Sequence, residues 1–134
     1  MRPVNELTTP ALAYLGDAVI ELYVRSRLVE AGYSTSASLN QKSLDYVRAG
    51  AQARAMQKIA PMLTEQEAAV FRRGRNMGHG NVPKGATVAE YRNATGMEVL
   101  AGYLHLSGEQ ERLDELLGAA FEFENTDIQI RRGD

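Results

Sequence analysis

Residues 11–28 carry apolar side chains on almost every side of a helix, and this stretch constrains the fold more than any other. At about 100° per residue, Leu12, Leu15, Val19, Leu22 and Tyr23 form one apolar stripe. Ala13, Ile20, Val24 and Leu28 cover the side opposite. A helix with hydrocarbon on two sides belongs at the centre of a packed domain. Asp17, in Leu15-Gly16-Asp17-Ala18-Val19, falls among the second set. A bare buried carboxylate costs on the order of several kcal/mol, so this one is protonated, paired with a cation, or bound to a metal.

Helix punctuation is clear along most of the chain. Thr9-Pro10 supplies an N-cap and a proline at the first helical position, and Gly32 a stop, bounding a helix from Ala11 to Leu28. Ser34–Ser38 is a polar connection. Ser38 and Gln41 form a capping box for a second helix reaching to about Ala60, which Pro61 ends. Thr64 and Glu67 form another, opening a third helix through Ala68, Val70 and Phe71 to an arginine cluster. Residues 74–86 hold Gly74, Gly78, Gly80, Pro83 and Gly85, and this density of breakers predicts a basic, flexible surface loop. Thr87 and Glu90 restart a helix that runs to about Leu106. Ser107-Gly108 separates it from a last amphipathic helix bearing Leu113, Leu116, Leu117, Ala120 and Phe121. No stretch alternates as a strand would. The prediction is an all-α domain of five main helices over 1–124, with 125–134 as a C-terminal tail.

A chain of 134 residues makes about one domain and buries roughly two thirds of its unfolded surface. The absence of cysteine excludes disulfides, thiolate zinc sites and cysteine nucleophiles, so any metal chemistry uses oxygen or histidine ligands. No apolar run approaches the roughly 20 residues of a membrane span, and the N-terminus lacks the basic start and apolar core of a signal peptide. A soluble cytoplasmic protein is the expectation. Net charge is −2, too small to steer the whole molecule to a polyanion, but the charge is unevenly spread. Arg72, Arg73, Arg75, Lys84 and Arg92 face Glu90 alone between positions 72 and 92, whereas the segment from Glu109 to Glu124 is strongly acidic. One region attracts polyanions.

A second carboxylate merits comparison with Asp17. In the helix from Val88 to Leu106, Glu98 shares its face with Tyr91, Ala94, Thr95, Ala101, Gly102 and His105. Most of these are small, which leaves room either for a close helix neighbour or for a hydrated ion. One reading is helix packing around a surface glutamate. The other has this face crossing the Asp17 helix, so that two oxygen ligands meet in a partly apolar cleft suited to a hard ion such as Mg²⁺.

Tyr14-Leu15-Gly16-Asp17-Ala18-Val19 and Glu98-Val99-Leu100-Ala101-Gly102-Tyr103, at this separation, resemble the two acidic signature segments of the ribonuclease III catalytic domain. Arg73-Gly74-Arg75-Asn76 and Tyr91-Arg92-Asn93-Ala94-Thr95-Gly96-Met97-Glu98 resemble segments of the compact Mini form of that family. The resemblance covers most of the chain, which stops where larger relatives continue into a double-stranded-RNA-binding domain. It implies an all-helical homodimer that hydrolyses double-stranded RNA with Mg²⁺, or Mn²⁺ as a substitute, leaving 5′-phosphates and staggered ends. It further implies a role in maturing large-subunit (23S) ribosomal RNA, with a ribosomal protein as an accessory partner. Asp17 and Glu98 match the family's catalytic, metal-binding acids, and Tyr14, with Ala11 and Ala13, matches the dimer contact; read from the residues alone, Tyr14 is a partly buried aromatic. Where larger relatives carry further acids this chain has Pro10, Ala13, Thr95 and the Ala49-Gly50 region, a pared-down site compatible with one well-placed ion.

Arg72, Arg73, Arg75, Asn76, Lys84 and Arg92 are the candidate RNA contacts; for any single arginine a solvated basic face is the competing reading. Asn76 and Asn93 suit either phosphate orientation or local backbone capping. His79 and His105 lack a partner motif that would make them bases or ligands, and Glu21, one helical turn after Asp17, suits either an outer-shell ligand or a solvent-facing salt bridge. Two other functions fit the charge pattern: a catalytically silent double-stranded-RNA-binding dimer, and a small helical module that binds an acidic protein surface. Neither accounts for the paired acidic motifs.

Overall fold

The computed structural model of the protein describes residues 4–78 and 81–122. The tail at 125–134 and His79 lie outside the described residues. Six α-helices follow one another: α1 (Thr9–Glu30), α2 (Ser36–Val47), α3 (Ala49–Ile59), α4 (Glu65–Arg75), α5 (Val88–Leu106) and α6 (Gln110–Ala120). Short 3₁₀ turns at Val4–Glu6 and Ala60–Met62 complete the helical segments. The all-α prediction holds, with six main helices instead of five.

The additional helix comes from a break at Arg48, whose backbone is extended with ψ 150. A continuous helix from residue 36 to 60 would put Leu39, Tyr46 and Val47 on one face and Ala55, Met56 and Ile59 on nearly the opposite one. The break resets the phase, so both sets join one core. Gln52 spans it, its Nε2 donating to the Val47 carbonyl at 2.9 Å. The cap of α2 is Thr35, not Ser38: the Thr35 hydroxyl accepts the Ser38 N–H at 3.1 Å. At α1 the cap lies one residue before the expected Thr9, where Thr8 Oγ1 accepts the Ala11 N–H. The boxes at Thr64/Glu67 and Thr87/Glu90 form as predicted, and Gly32 follows α1 at φ 101.

At the centre lies α5, which packs against α1, α3, α4 and α6 and buries Ala94, Thr95, Gly96, Met97, Val99, Leu100, Ala101, Gly102 and Leu104. In α1 the buried face is Leu12, Gly16, Ile20, Val24 and Leu28. The expected stripe is therefore only partly covered, and Leu22 remains 68% exposed. Glycine decides how near the helices come. A Cβ on Gly16 would overlap the Glu98 backbone carbonyl, and one on Gly102 the Leu12 carbonyl, so α1 and α5 touch backbone to backbone. Gly74, predicted as loop, lies inside α4 instead, where a Cβ would stand 2.7 Å from the Gly96 Cα.

Candidate active site

Gly16 rests on the backbone of Glu98, so the residue after it is delivered to the Glu98 side chain. Asp17 and Glu98 share a hydrogen bond. Asp17 is exposed, not enclosed in hydrocarbon as its helical surroundings suggested, because the buried face of α1 ends beside it. Glu98 is half-buried. Burial pushes the Glu98 carboxyl up to about 8, reinforced by the hydrogen bond to Asp17 and by its negative charge. Two carboxyls this close share a proton at neutral pH unless a cation replaces it.

The donors suit an oxygen-seeking divalent ion. Mg²⁺ is commonly held by one or two carboxylates, keeping several waters for substrate phosphate to displace. Among the described residues no group of three or more His, Cys, Asp and Glu side chains gathers as a ready-made metal cage. Thr95, where larger relatives carry an acid, instead turns its hydroxyl back to the Tyr91 carbonyl at 3.0 Å. Glu21 accepts from Arg25 at 2.8 Å across one helical turn. His105 lines a different hollow, with Val19, Tyr23 and Leu117.

The basic residues divide between two tasks. Arg75, Asn76 and Arg92 line one groove of about 520 Å³, together with Val88, Ala89 and Asn93. The Arg75 guanidinium lies 5.7 Å over the Phe71 ring and donates through Nε to Asn76 Oδ1 at 3.3 Å, which fixes its direction. Arg73 points elsewhere, donating to Thr9 Oγ1 at 3.1 Å and to the Leu7 carbonyl. It fastens the start of α1 to α4. Arg72 and Lys84 are exposed. A second hollow, where Arg48 and Arg54 are balanced by Asp45 and Glu90 and where Arg54 and Glu90 meet beside Gly50, was not visible in sequence. Its arginines lie in segments that read as a single helix, and only the break at Arg48 aims them together.

Tyr14 is 85% exposed, not partly buried, because the buried face of α1 runs through Leu12, Gly16 and Ile20; it shares an outer face with Leu22 and with Val29, itself 61% exposed.

Fold and site together define an all-helical domain with an acidic pair at its central helix crossing and a basic groove lined by the same central helix. Residues 10–109 match the ribonuclease III domain family. The chain is 53% identical to Mini-ribonuclease 3 of Symbiobacterium thermophilum, over 92% of this chain and 96% of that protein. It is 45% identical to Mini-ribonuclease 3 of Enterococcus faecalis, over 87% and 90%. An X-ray crystal structure of a Fusobacterium nucleatum protein superposes with a TM-score of 0.79 at 28% identity, covering 88% of this chain and 94% of that one. The chain belongs to the ribonuclease III family.

Proposed function

We propose that this chain is a homodimeric endoribonuclease that hydrolyses double-stranded RNA with Mg²⁺ held by Asp17 and Glu98. The observation that carries this is the pairing of the two carboxylates at the α1–α5 crossing, where the Glu98 carboxyl holds its proton to about pH 8. When bound, Mg²⁺ neutralises phosphate charge and makes water a stronger nucleophile at neutral pH. The protein's own groups do the rest. Gly16 sets the spacing of the two acids. Glu98, half-buried in α5, gives a rigid oxygen, while exposed Asp17 presents its carboxylate on the substrate side. Arg75 and Arg92 provide donors for backbone phosphates, and the positions of Arg72 and Lys84 allow them to extend that contact. An A-form duplex is recognised largely through shape, phosphates and 2′-hydroxyls, which suits a groove of this kind. Mn²⁺, with a similar preference for oxygen ligands, is the expected substitute.

Incubation of the purified protein with a structured RNA and its single-stranded control, in Mg²⁺ or chelator, tests the reading. Cleavage of the duplex alone, dependent on the ion and yielding 5′-phosphate ends, is expected. Asp17→Asn and Glu98→Gln should each abolish it while the circular-dichroism spectrum and the oligomeric state stay unchanged. Wild-type rates in either variant would remove that residue from the site. Binding without any cut in Mg²⁺ or Mn²⁺ would favour the silent RNA-binding dimer. Kinship with proteins named Mini-ribonuclease 3 supports maturation of 23S ribosomal RNA as the cellular task, aided by a ribosomal protein. Accumulation of extended 23S precursors in cells lacking the gene, together with a rate increase when the ribosomal protein is added, is the corresponding test. No described helix is long and apolar enough to cross a membrane, consistent with the cytoplasmic location proposed here.

A further inference from the structure

The groove beside α5 is rich in hydrogen-bond donors and poor in acceptors. Arg75 and Arg92 only donate, and Val88 and Ala89 stand in the first turn of α5, where backbone N–H groups project from the helix end. Asn76 Oδ1 is already occupied by Arg75 Nε. Asn93, half-buried on the groove wall, has no hydrogen-bond partner for its carboxamide among the described residues. Its Oδ1 is thus the side-chain acceptor of this groove that has no partner among the described residues, in a surface otherwise suited to phosphates.

That asymmetry has a chemical meaning on an RNA duplex. The shallow groove of A-form RNA is wide enough for side chains, and its base edges present acceptors at every pair. Only guanine adds a donor there, its N2 amino group. Arginine cannot recognise that donor; a carboxamide oxygen can. We propose that Asn93 determines specificity by accepting a hydrogen bond from the guanine N2 amino group, favouring a G·C pair at one position of the cleaved duplex. The proposal rests on the double-stranded-RNA reading above and names the contact that would give it sequence preference.

Inosine lacks the N2 amino group but keeps the rest of the guanine base, so it isolates the contact. Duplexes in which each guanine of the bound segment is replaced in turn by inosine are compared for Kd in chelator and, where cleavage occurs, for kcat/KM. The wild-type protein should show one position at which inosine costs about tenfold, the usual discrimination of a good base-edge contact. Asn93→Ala and Asn93→Leu should bring that ratio to about one. Asn93→Asp keeps an acceptor and should retain the ratio while binding all duplexes more weakly. Arg92→Ala should weaken every duplex alike and flatten the salt dependence.

The idea is overturned if no position responds to inosine in the wild-type protein, or if Asn93→Ala keeps the same ratio. A uniform loss at all duplexes would also overturn it, assigning Asn93 to a 2′-hydroxyl or phosphate. The Kd comparison keeps the test valid even for a protein that cuts nothing, so failure of the endonuclease reading and failure of this one are separable. Thermal melts of all four variants confirm that each is folded.

Discussion

A carboxyl that keeps its proton to about pH 8 makes folding and metal binding depend on pH in opposite directions. In the unfolded chain Glu98 titrates near the ordinary glutamate value of 4.5. Below that value both states are protonated and the site costs nothing. Between it and about 8 the folded protein binds a proton that the unfolded chain has released, so stability falls as pH rises. In chelator, the melting temperature should therefore decline from pH 5 to pH 8.5, and the decline should be smaller in Glu98→Gln. Stabilisation by added Mg²⁺ should grow over the same interval, because the ion competes with the proton for the same oxygens. Differential scanning fluorimetry across pH reads both effects. Equal pH slopes for wild type and Glu98→Gln would show that Glu98 does not hold a raised pKa. At this scale the structure brings together the two acids that the sequence singled out, in surroundings different from those expected. Helical periodicity put Asp17 among Ala13, Ile20 and Val24, but whether a residue beside a buried face is covered depends on how closely the next helix approaches. Gly16 is the residue that decides this, and its packing against Glu98 is a tertiary fact.

Elements were legible where their signals are local. The boxes at Thr64/Glu67 and Thr87/Glu90 and the stop at Gly32 need only a few neighbouring residues, and they form as read. The break at Arg48 was invisible because it exists to bring two apolar sets into one core, and Gly74 read as a breaker when its work is to let α4 touch α5. The joint of α6 to α4 was likewise hidden. Arg112 on α6 grips Glu67 with Nε and Nη2 at 2.9 and 2.8 Å, reaches the Met62 carbonyl at 2.7 Å, and pairs with Glu115. Glu67 is buried, and the Arg112 hydrogen bond holds its carboxyl below the usual range. Removing the arginine leaves a buried carboxylate uncompensated, so Arg112→Met should cost about 3 kcal/mol in urea denaturation at pH 7. Arg112→Lys should recover little, since an ammonium cannot reproduce the two-pronged contact. The loss should shrink as pH falls through the depressed Glu67 titration, where the carboxylate that needs the arginine is neutralised. A loss below about 0.5 kcal/mol, the level of ordinary surface substitutions, would mean that α6 is held by Leu113, Leu116 and Leu117 alone.

For the whole molecule, the largest unsatisfied feature is the outer face of α1, where Tyr14, Leu22 and Val29 stand in water. Exposed apolar side chains sharing one helix face, here interrupted by the Arg25–Glu21 ion pair, suit an interaction site, and a two-fold dimer presents the same face from each protomer. Tyr14 precedes Asp17 by less than one turn, so a dimer formed here brings the two acidic pairs toward each other from opposite sides of the interface. Each protomer would then cut one strand. Tyr14→Glu places charge on that face and, because Tyr14 is 85% exposed in its own protomer, should leave the monomer folded. If the proposed dimer forms here, sedimentation should show the wild type as a dimer and Tyr14→Glu as a monomer, whose melting temperature should not depend on protein concentration. Cleavage tells more than mass does. With both acids intact in each chain, the monomer should leave nicks in one strand where the dimer leaves staggered double-strand ends, a difference read by comparing denaturing with native gels. If Tyr14→Glu still sediments as a dimer and still cuts both strands, the interface lies elsewhere and the α1 face serves another partner. If it is a monomer that makes double-strand cuts at the wild-type rate, pairing of the two sites contributes nothing to cleavage.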